Sequence, residues 1–246
     1  MTDTEDHRRP DASGYVPYKR TNSQRGVRHA RENAISDRLF ERLISASYEL
    51  DPDRDLETRL ILLVMGRLGL RVGELVHLER DWLDVTEKRL EIPYQQPCTR
   101  GRDGGLCGTC RQHAQQRVEK NDGLTIEEAT ELQWLAKTEH AARTIPYDWS
   151  LRVALTLETY LEKYPRWMYS RSAITRRVNW LIDLVPEAEG LHPHALRATA
   201  ASYQAGRGLD IFALKQFMGW ADQQTAQVYI DASAAKLDRS INFVNR

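Results

Sequence analysis

Six side chains in this sequence of 246 residues, Arg71, Lys137, His194, Arg197, Trp220 and Tyr229, have the types and order that phosphoryl transfer without a catalytic metal requires. Arg71 lies in the run Leu68-Gly69-Leu70-Arg71-Val72-Gly73-Glu74-Leu75, where a glycine turn ends one helix and starts the next and so puts a guanidinium at a corner. Arg197 follows His194 by one helical turn, so the two share a face. Two guanidinium forks can grip one phosphate through paired charge-assisted bonds and offset the charge of a five-coordinate phosphorus. Tyr229 would be the nucleophile. A phenol with an ordinary pKa of about 10 attacks poorly near neutrality, so it needs neighbouring cations or a base. Lys137, on a polar turn, is placed to protonate a departing sugar oxygen. Each residue also has a plainer reading: Arg71 as a surface ion pair, Lys137 as an exposed turn charge, His194 as a helix-start histidine beside Pro193, and Tyr229 as a packing residue among Ala226, Val228 and Ile230.

The elements that must position these groups are mostly helical. Leu39, Phe40, Leu43 and Ile44 repeat at helical spacing after a Ser36 cap. Further helices are expected over residues 56–67, 72–79, 151–164, 172–184, 194–205, 211–218 and 223–231, punctuated by prolines and glycines. Residues 89–93, 132–135 and 143–146 read as short strands, the last two joined by a polar turn over 137–142. The fold class is therefore α+β, mainly α: a helical bundle with a small three-stranded antiparallel sheet. Residues 1–35 read as a flexible arm without hydrophobic period, ahead of one domain over 36–246 that ends in a tail at 234–246. The arm carries Lys19, Arg20, Arg25, Arg28 and Arg31, with no acid between residues 15 and 31. That pattern suits either a solvated leader or a strand of basic residues along a phosphate backbone.

Composition narrows the class. Lys plus Arg and Asp plus Glu both number 35, which argues against binding nucleic acid by bulk positive charge and leaves local patches to do it. The longest apolar run, residues 60–65, is too short for a membrane span, and residues 1–10 lack the apolar centre of a secretory signal. The expected setting is cytoplasmic, with no membrane partner. Three cysteines do not make a disulfide framework. They fall in a segment over 95–130 that is far too long for a hairpin loop. Cys98, Cys107, Cys110 and His113 there could supply four ligands to a structural zinc ion; the alternative is three free thiols in a glycine-rich loop. Arg100, Arg102 and Arg111 around them are either DNA-backbone contacts or solvated charges.

The separated motifs, in this order, resemble those of the tyrosine recombinase or phage integrase family. Residues 68–75 are similar to its first arginine box, and Lys137 with Arg143-Thr144-Ile145-Pro146 to its lysine hairpin. His194-Ala195-Leu196-Arg197 is similar to its histidine-and-arginine helix, and Met218-Gly219-Trp220 followed by Tyr229 to its terminal box. The resemblance implies that Arg71 and Arg197 bind the scissile phosphate, Lys137 protonates the 5′ oxygen, His194 assists proton transfer, Trp220 buttresses the site and Tyr229 forms a 3′-phosphotyrosine link. It implies no catalytic cofactor, double-stranded DNA attachment sites as partners, homo-oligomers of two to four chains on DNA with an accessory protein as a further partner, and association with the nucleoid. Ala198 departs from the family pattern, as does Trp220 where many relatives have histidine, and the arm before Ser36 leaves no room for the family's helical N-terminal domain. The cysteine-bearing insertion looks like that of some archaeal virus or plasmid integrases. Two other functions stay open at this point: a relaxing topoisomerase of type IB kind, and a DNA-binding accessory factor or regulator that keeps the fold without cutting.

Overall fold

Ser36 opens the folded body: its side-chain oxygen accepts a hydrogen bond from the Leu39 amide at 3.2 Å and starts α1 (Asp37–Ser47). The computed structural model describes residues 30–102 and 104–233. Lys19, Arg20, Arg25 and Arg28 of the expected basic arm lie outside the described residues, as does the tail at 234–246, while Arg31 falls on a 3-10 turn, Ala30–Asn33. Just after that turn, the Ile35 amide donates to Thr199 Oγ1 at 3.1 Å, tying the start of the body to a helix near its end.

The next helix, α2 (Pro52–Gly66), begins with proline at its first turn, where the missing N–H costs no hydrogen bond. Residues 60–65 are buried on every side, which marks a central helix rather than an amphipathic surface one. Around it pack α1, α6 (Leu151–Lys163), α7 (Arg171–Leu184) and α8 (Pro193–Gly206). A smaller apolar group joins Ala198, Ala201 and Ala205 of α8 to α9 (Ile211–Met218) and α10 (Gln223–Asp231); alanines there let the last helices approach closely. Among the described residues no helix is long and apolar enough to cross a membrane.

The three-stranded antiparallel sheet is present, with one strand different from expectation. Its order is β1 (Leu83–Asp84), β2 (Arg89–Ile92), β5 (Arg143–Pro146). Residues 134–135 instead form β4 (Trp134–Leu135), which pairs with β3 (Gln95–Gln96) in a separate ribbon, so the strands flanking Lys137 do not pair with each other. A strand of two residues carries too little pattern to choose its partner, and the turn at 84–89 supplies the closer one for β2. Alternation along β5 buries Arg143 and Ile145 on the same side, so the strand delivers a guanidinium to the interior.

The helix expected over 72–79 is shorter, α3 (Val72–Val76), and is capped by His77. The long 95–130 segment is built rather than looped: it holds α4 (Gly108–Val118) and α5 (Ile126–Glu131), the latter started by a reciprocal Thr125–Glu128 capping box. The first of these, α4, shows little apolar periodicity, and the two lie against each other.

Candidate functional site

The site gathers around Glu74, a buried carboxylate that the sequence reading named only as part of a motif. Gly69 turns the chain after α2 with φ of +69°, in a space where a Cβ would meet Met218 Sδ at 2.6 Å, and so delivers Arg71 to the start of α3. The Arg71 amide donates to Glu74 Oε2 at 2.8 Å, its Nη1 to Glu74 Oε1 at 2.6 Å and its Nη2 to the Gly219 carbonyl at 2.6 Å. Arg143 reaches the same carboxylate from β5, with Nη1 to Oε1 at 3.1 Å and Nη2 to Oε2 at 3.0 Å, and its Nε donates to the Phe217 carbonyl at 2.8 Å. Burial alone would raise the Glu74 pKa, but Arg143, Arg197 and Arg71 outweigh it and hold the carboxyl at about 2. One acid thus anchors a cluster of three arginines.

Arg197, 5% exposed, donates to the carbonyls of Gly69 and Met218. It therefore joins the turn before α3 to the end of α9. Burial first, then Arg71 and Arg143, lower its pKa, while Glu74 and Tyr229 act in the opposite direction. His194 is exposed one helical turn earlier on α8, its ring 6.4 Å from that of His192 in a stacked pair. Partial desolvation and the charges of Arg197, His192, Lys137 and Arg71 lower its pKa, which favours the neutral imidazole.

Arg71, Lys137, His194 and Arg197 all line one cleft of about 750 Å3, with Glu74 at its floor. Tyr229 and Trp220 do not line it. Tyr229 is 5% exposed within the small cluster of α8, α9 and α10, and its ring stacks on Trp220 at 5.3 Å between centroids. The structure thus brings four of the six predicted residues to one surface, and sets the tyrosine behind it within electrostatic reach of Arg197.

The sequence profile of the phage integrase family matches residues 35–236. The chain belongs to the phage integrase family. Among solved structures, this integrase-family chain is similar to XerA recombinase at 19% identity and a TM-score of 0.56, covering 87% of this chain and 65% of that one. It is similar to the Tn1549 transposon integrase in complex with transposon right end DNA at 16% identity and a TM-score of 0.54, covering 84% and 65%. It is also similar to XerH site-specific recombinase bound to difH substrate at 12% identity and a TM-score of 0.51, covering 80% and 49%. These likenesses establish the tyrosine recombinase catalytic fold, and the chain spans less than two thirds of the length of each of those proteins. Among curated proteins no relative matches.

A second polar cluster in this integrase-family chain corrects the expected fourth ligand. Cys98, Cys107 and Cys110 do come together, but around His77, not His113. The four ligand atoms lie within 4.8 Å of one another. His113 instead lines the cleft beside Thr109, Gln116, Arg117 and Lys120. Proximity in sequence favoured His113, whereas His77 stands 21 residues before Cys98 at the end of α3. Glu74 and Arg143 were missed for a related reason: each is an ordinary charge locally, and only the pairing of β2 with β5 against α3 shows what it touches. Arg100, read as a DNA-backbone contact or a solvated charge, turns inward to the carbonyls of Trp167 and Leu78 and to Glu79, pinning the insertion to the body.

Proposed function

We propose that this chain is a tyrosine-type site-specific DNA recombinase that breaks and rejoins DNA through a 3′-phosphotyrosine at Tyr229. The observation that carries the reading is the convergence of Arg71, Arg197, His194 and Lys137 on one cleft, with Tyr229 in electrostatic reach of Arg197. Arg71 and Arg197 would hold the nonbridging oxygens of the scissile phosphate, their backbone tethers fixing the forks before substrate arrives. Glu74 orients Arg71 and remains ionised, so the net charge of the floor stays positive after one carboxylate is subtracted from three guanidiniums.

The Tyr229 oxygen attacks phosphorus, forming the P–O bond to tyrosine as the bond to the 5′ oxygen breaks. Neutral His194 can accept a proton released in this step, and Lys137 gives one to the departing 5′ oxygen, leaving a 5′ hydroxyl. Because the tyrosyl ester keeps the phosphodiester's energy, a DNA hydroxyl can attack it and reverse the same bonds without ATP. Trp220, stacked on Tyr229, fixes the ring's plane. The partners on this reading are double-stranded attachment sites, two of the similar structures being complexes with DNA, and exchange between paired sites calls for a dimer to tetramer of this chain, within the cytoplasmic nucleoid.

A nicked suicide duplex of candidate attachment-site sequence tests the reading, since loss of the short 5′ fragment traps the covalent adduct. Wild type should yield a protein–DNA band resistant to denaturant, and Tyr229→Phe should yield none while keeping its thermal stability. No band from wild type, or a band that persists with phenylalanine, would overturn it.

A further inference from the structure

Three sulfurs converge on one imidazole nitrogen in a way that hydrogen bonding cannot explain. His77 is fully buried, and its Nδ1 lies 2.8 Å from the Gly73 carbonyl, which can only accept, so Nδ1 carries the proton and Nε2 presents a lone pair. Cys98 Sγ, Cys107 Sγ and Cys110 Sγ lie 3.5, 3.7 and 3.3 Å from that Nε2. A single lone pair accepts one S–H donor well, not three. A tetrahedral zinc ion with bonds of about 2.3 Å to sulfur and about 2.0 Å to nitrogen sets sulfur–nitrogen edges of about 3.5 Å, which is the spacing found.

The surroundings are those of a built site. Cys107 caps α4, the Cys110 amide donating to its sulfur at 3.4 Å, so the first turn of the helix fixes the two-residue spacing of the pair. The Cys98 amide donates to Gln133 Oε1 at 2.6 Å, and the Trp134 ring stacks on His77 at 5.1 Å. The Gly73 carbonyl sets the tautomer and orientation of His77, as outer partners do for zinc-bound histidines. The cysteines are free of disulfides, and Cys98 and Cys110 are buried.

A second observation concerns what such a clip would hold in place. With Cys110 and Ala114 of α4 facing inward, His113, Gln116 and Arg117 form a stripe that lines the cleft, continued by Lys120 just past the helix. Arg117 Nη1 is buried without a hydrogen-bond partner among the described residues, which an anionic ligand would supply.

We infer that Cys98, Cys107, Cys110 and His77 form a structural zinc site that clips α4 onto α3, and that Arg117 and Lys120 on the clipped helix take DNA phosphates flanking the scissile one. The second half rests on the cleft being the DNA site, as proposed above; the first does not. The ion takes no part in phosphoryl transfer. It holds a wall of the cleft that the helix, with its weak apolar periodicity, would not hold alone.

Metal analysis of the full chain, purified without chelator, should find one zinc per chain, lost in Cys110→Ser and His77→Ala and kept in His113→Ala. Cobalt exchanged into wild type should give the intense d–d bands of a tetrahedral thiolate site, a readout that needs no variant to fold. Absence of zinc with no cobalt spectrum, or zinc retained at full occupancy in His77→Ala, overturns the metal site. For the wall, an R117A/K120A double variant with unchanged zinc content should bind a nonspecific duplex roughly tenfold more weakly, and the slope of log K against log salt should fall by about 2. Affinity and slope equal to those of wild type would overturn the wall, whatever the outcome of the Tyr229 adduct assay. A wild type that binds no duplex would overturn the wall together with the recombinase reading, leaving the zinc result to stand by itself.

Discussion

Two polar clusters sit at opposite ends of the same five-residue helix, α3, and they are closed in different ways. At its start, Glu74 neutralises part of the charge of Arg71 and Arg143, and carbonyls from the Gly69 turn and the end of α9 absorb donors of Arg71 and Arg197. Every partner there comes from the chain itself, so the cluster is complete once the helices are packed. At the other end, His77 presents one lone pair to three sulfurs. Buried charge can be balanced from within, by arginine against glutamate, whereas thiols crowded around one imidazole lone pair are balanced by the cation inferred above.

The largest effect should come from breaking the internally closed cluster. Glu74→Ala leaves three guanidiniums facing one another in a buried space, and a cost of roughly 3–5 kcal/mol in urea unfolding is expected. A cost near zero would mean that the arginines do not depend on the acid. Breaking the other cluster by chelation should cost up to about 4 kcal/mol, for free zinc at about 1,000 times Kd, and the loss should reverse on adding zinc back. Glu74→Ala should show no such recovery.

Acid provides a smaller perturbation of the first cluster when applied to chelated protein, with Glu74→Gln separating it from other paired carboxylates such as Glu41. The Glu74 pKa is depressed in the folded state, so its contribution is fully present above the unfolded value of about 4.3 and is lost as pH falls toward 2. Roughly 3 kcal/mol should disappear across that window in wild type, and the pH dependence should flatten in Glu74→Gln. The smallest effect is expected from His113→Ala, a change within about 0.5 kcal/mol in stability, because the residue lines the cleft and holds neither cluster together. A drop comparable to chelation would place His113 back among the ligands.

How far the sequence could be read follows the reach of each signal. The Ser36 cap, the glycine turn before Arg71 and the one-turn spacing of His194 and Arg197 are local, and each stands where the residues imply. The fold class was legible for the same reason, since helical periodicity and punctuation are properties of short windows. The plainer reading of Tyr229 as a packing residue beside Ala226 and Ile230 agrees with its burial, whereas the alanines of α8 in the same cluster are far away in sequence and were not legible. The pairing of Trp134–Leu135 with Gln95–Gln96 was not legible, because two-residue strands carry no register pattern. His77, Glu74 and Arg143 share that limit: their partners lie in other elements, and nothing in the neighbouring residues distinguishes them from surface charges or a core histidine.

Arg197 has a consequence for the life of the chain as it is made. Its guanidinium bonds one carbonyl 128 positions earlier and another 21 positions later, and Arg71 bonds Gly219, 148 positions away. Synthesis runs from the N-terminus, so a ribosome-bound chain that has exposed Arg71 and Arg143 still lacks the backbone that aims them, and lacks Tyr229 as well. The order of translation therefore withholds the assembled arginine cluster until the final helices emerge, and on the recombinase reading proposed above an incomplete chain released early would carry Arg71 and Arg143 without the nucleophile.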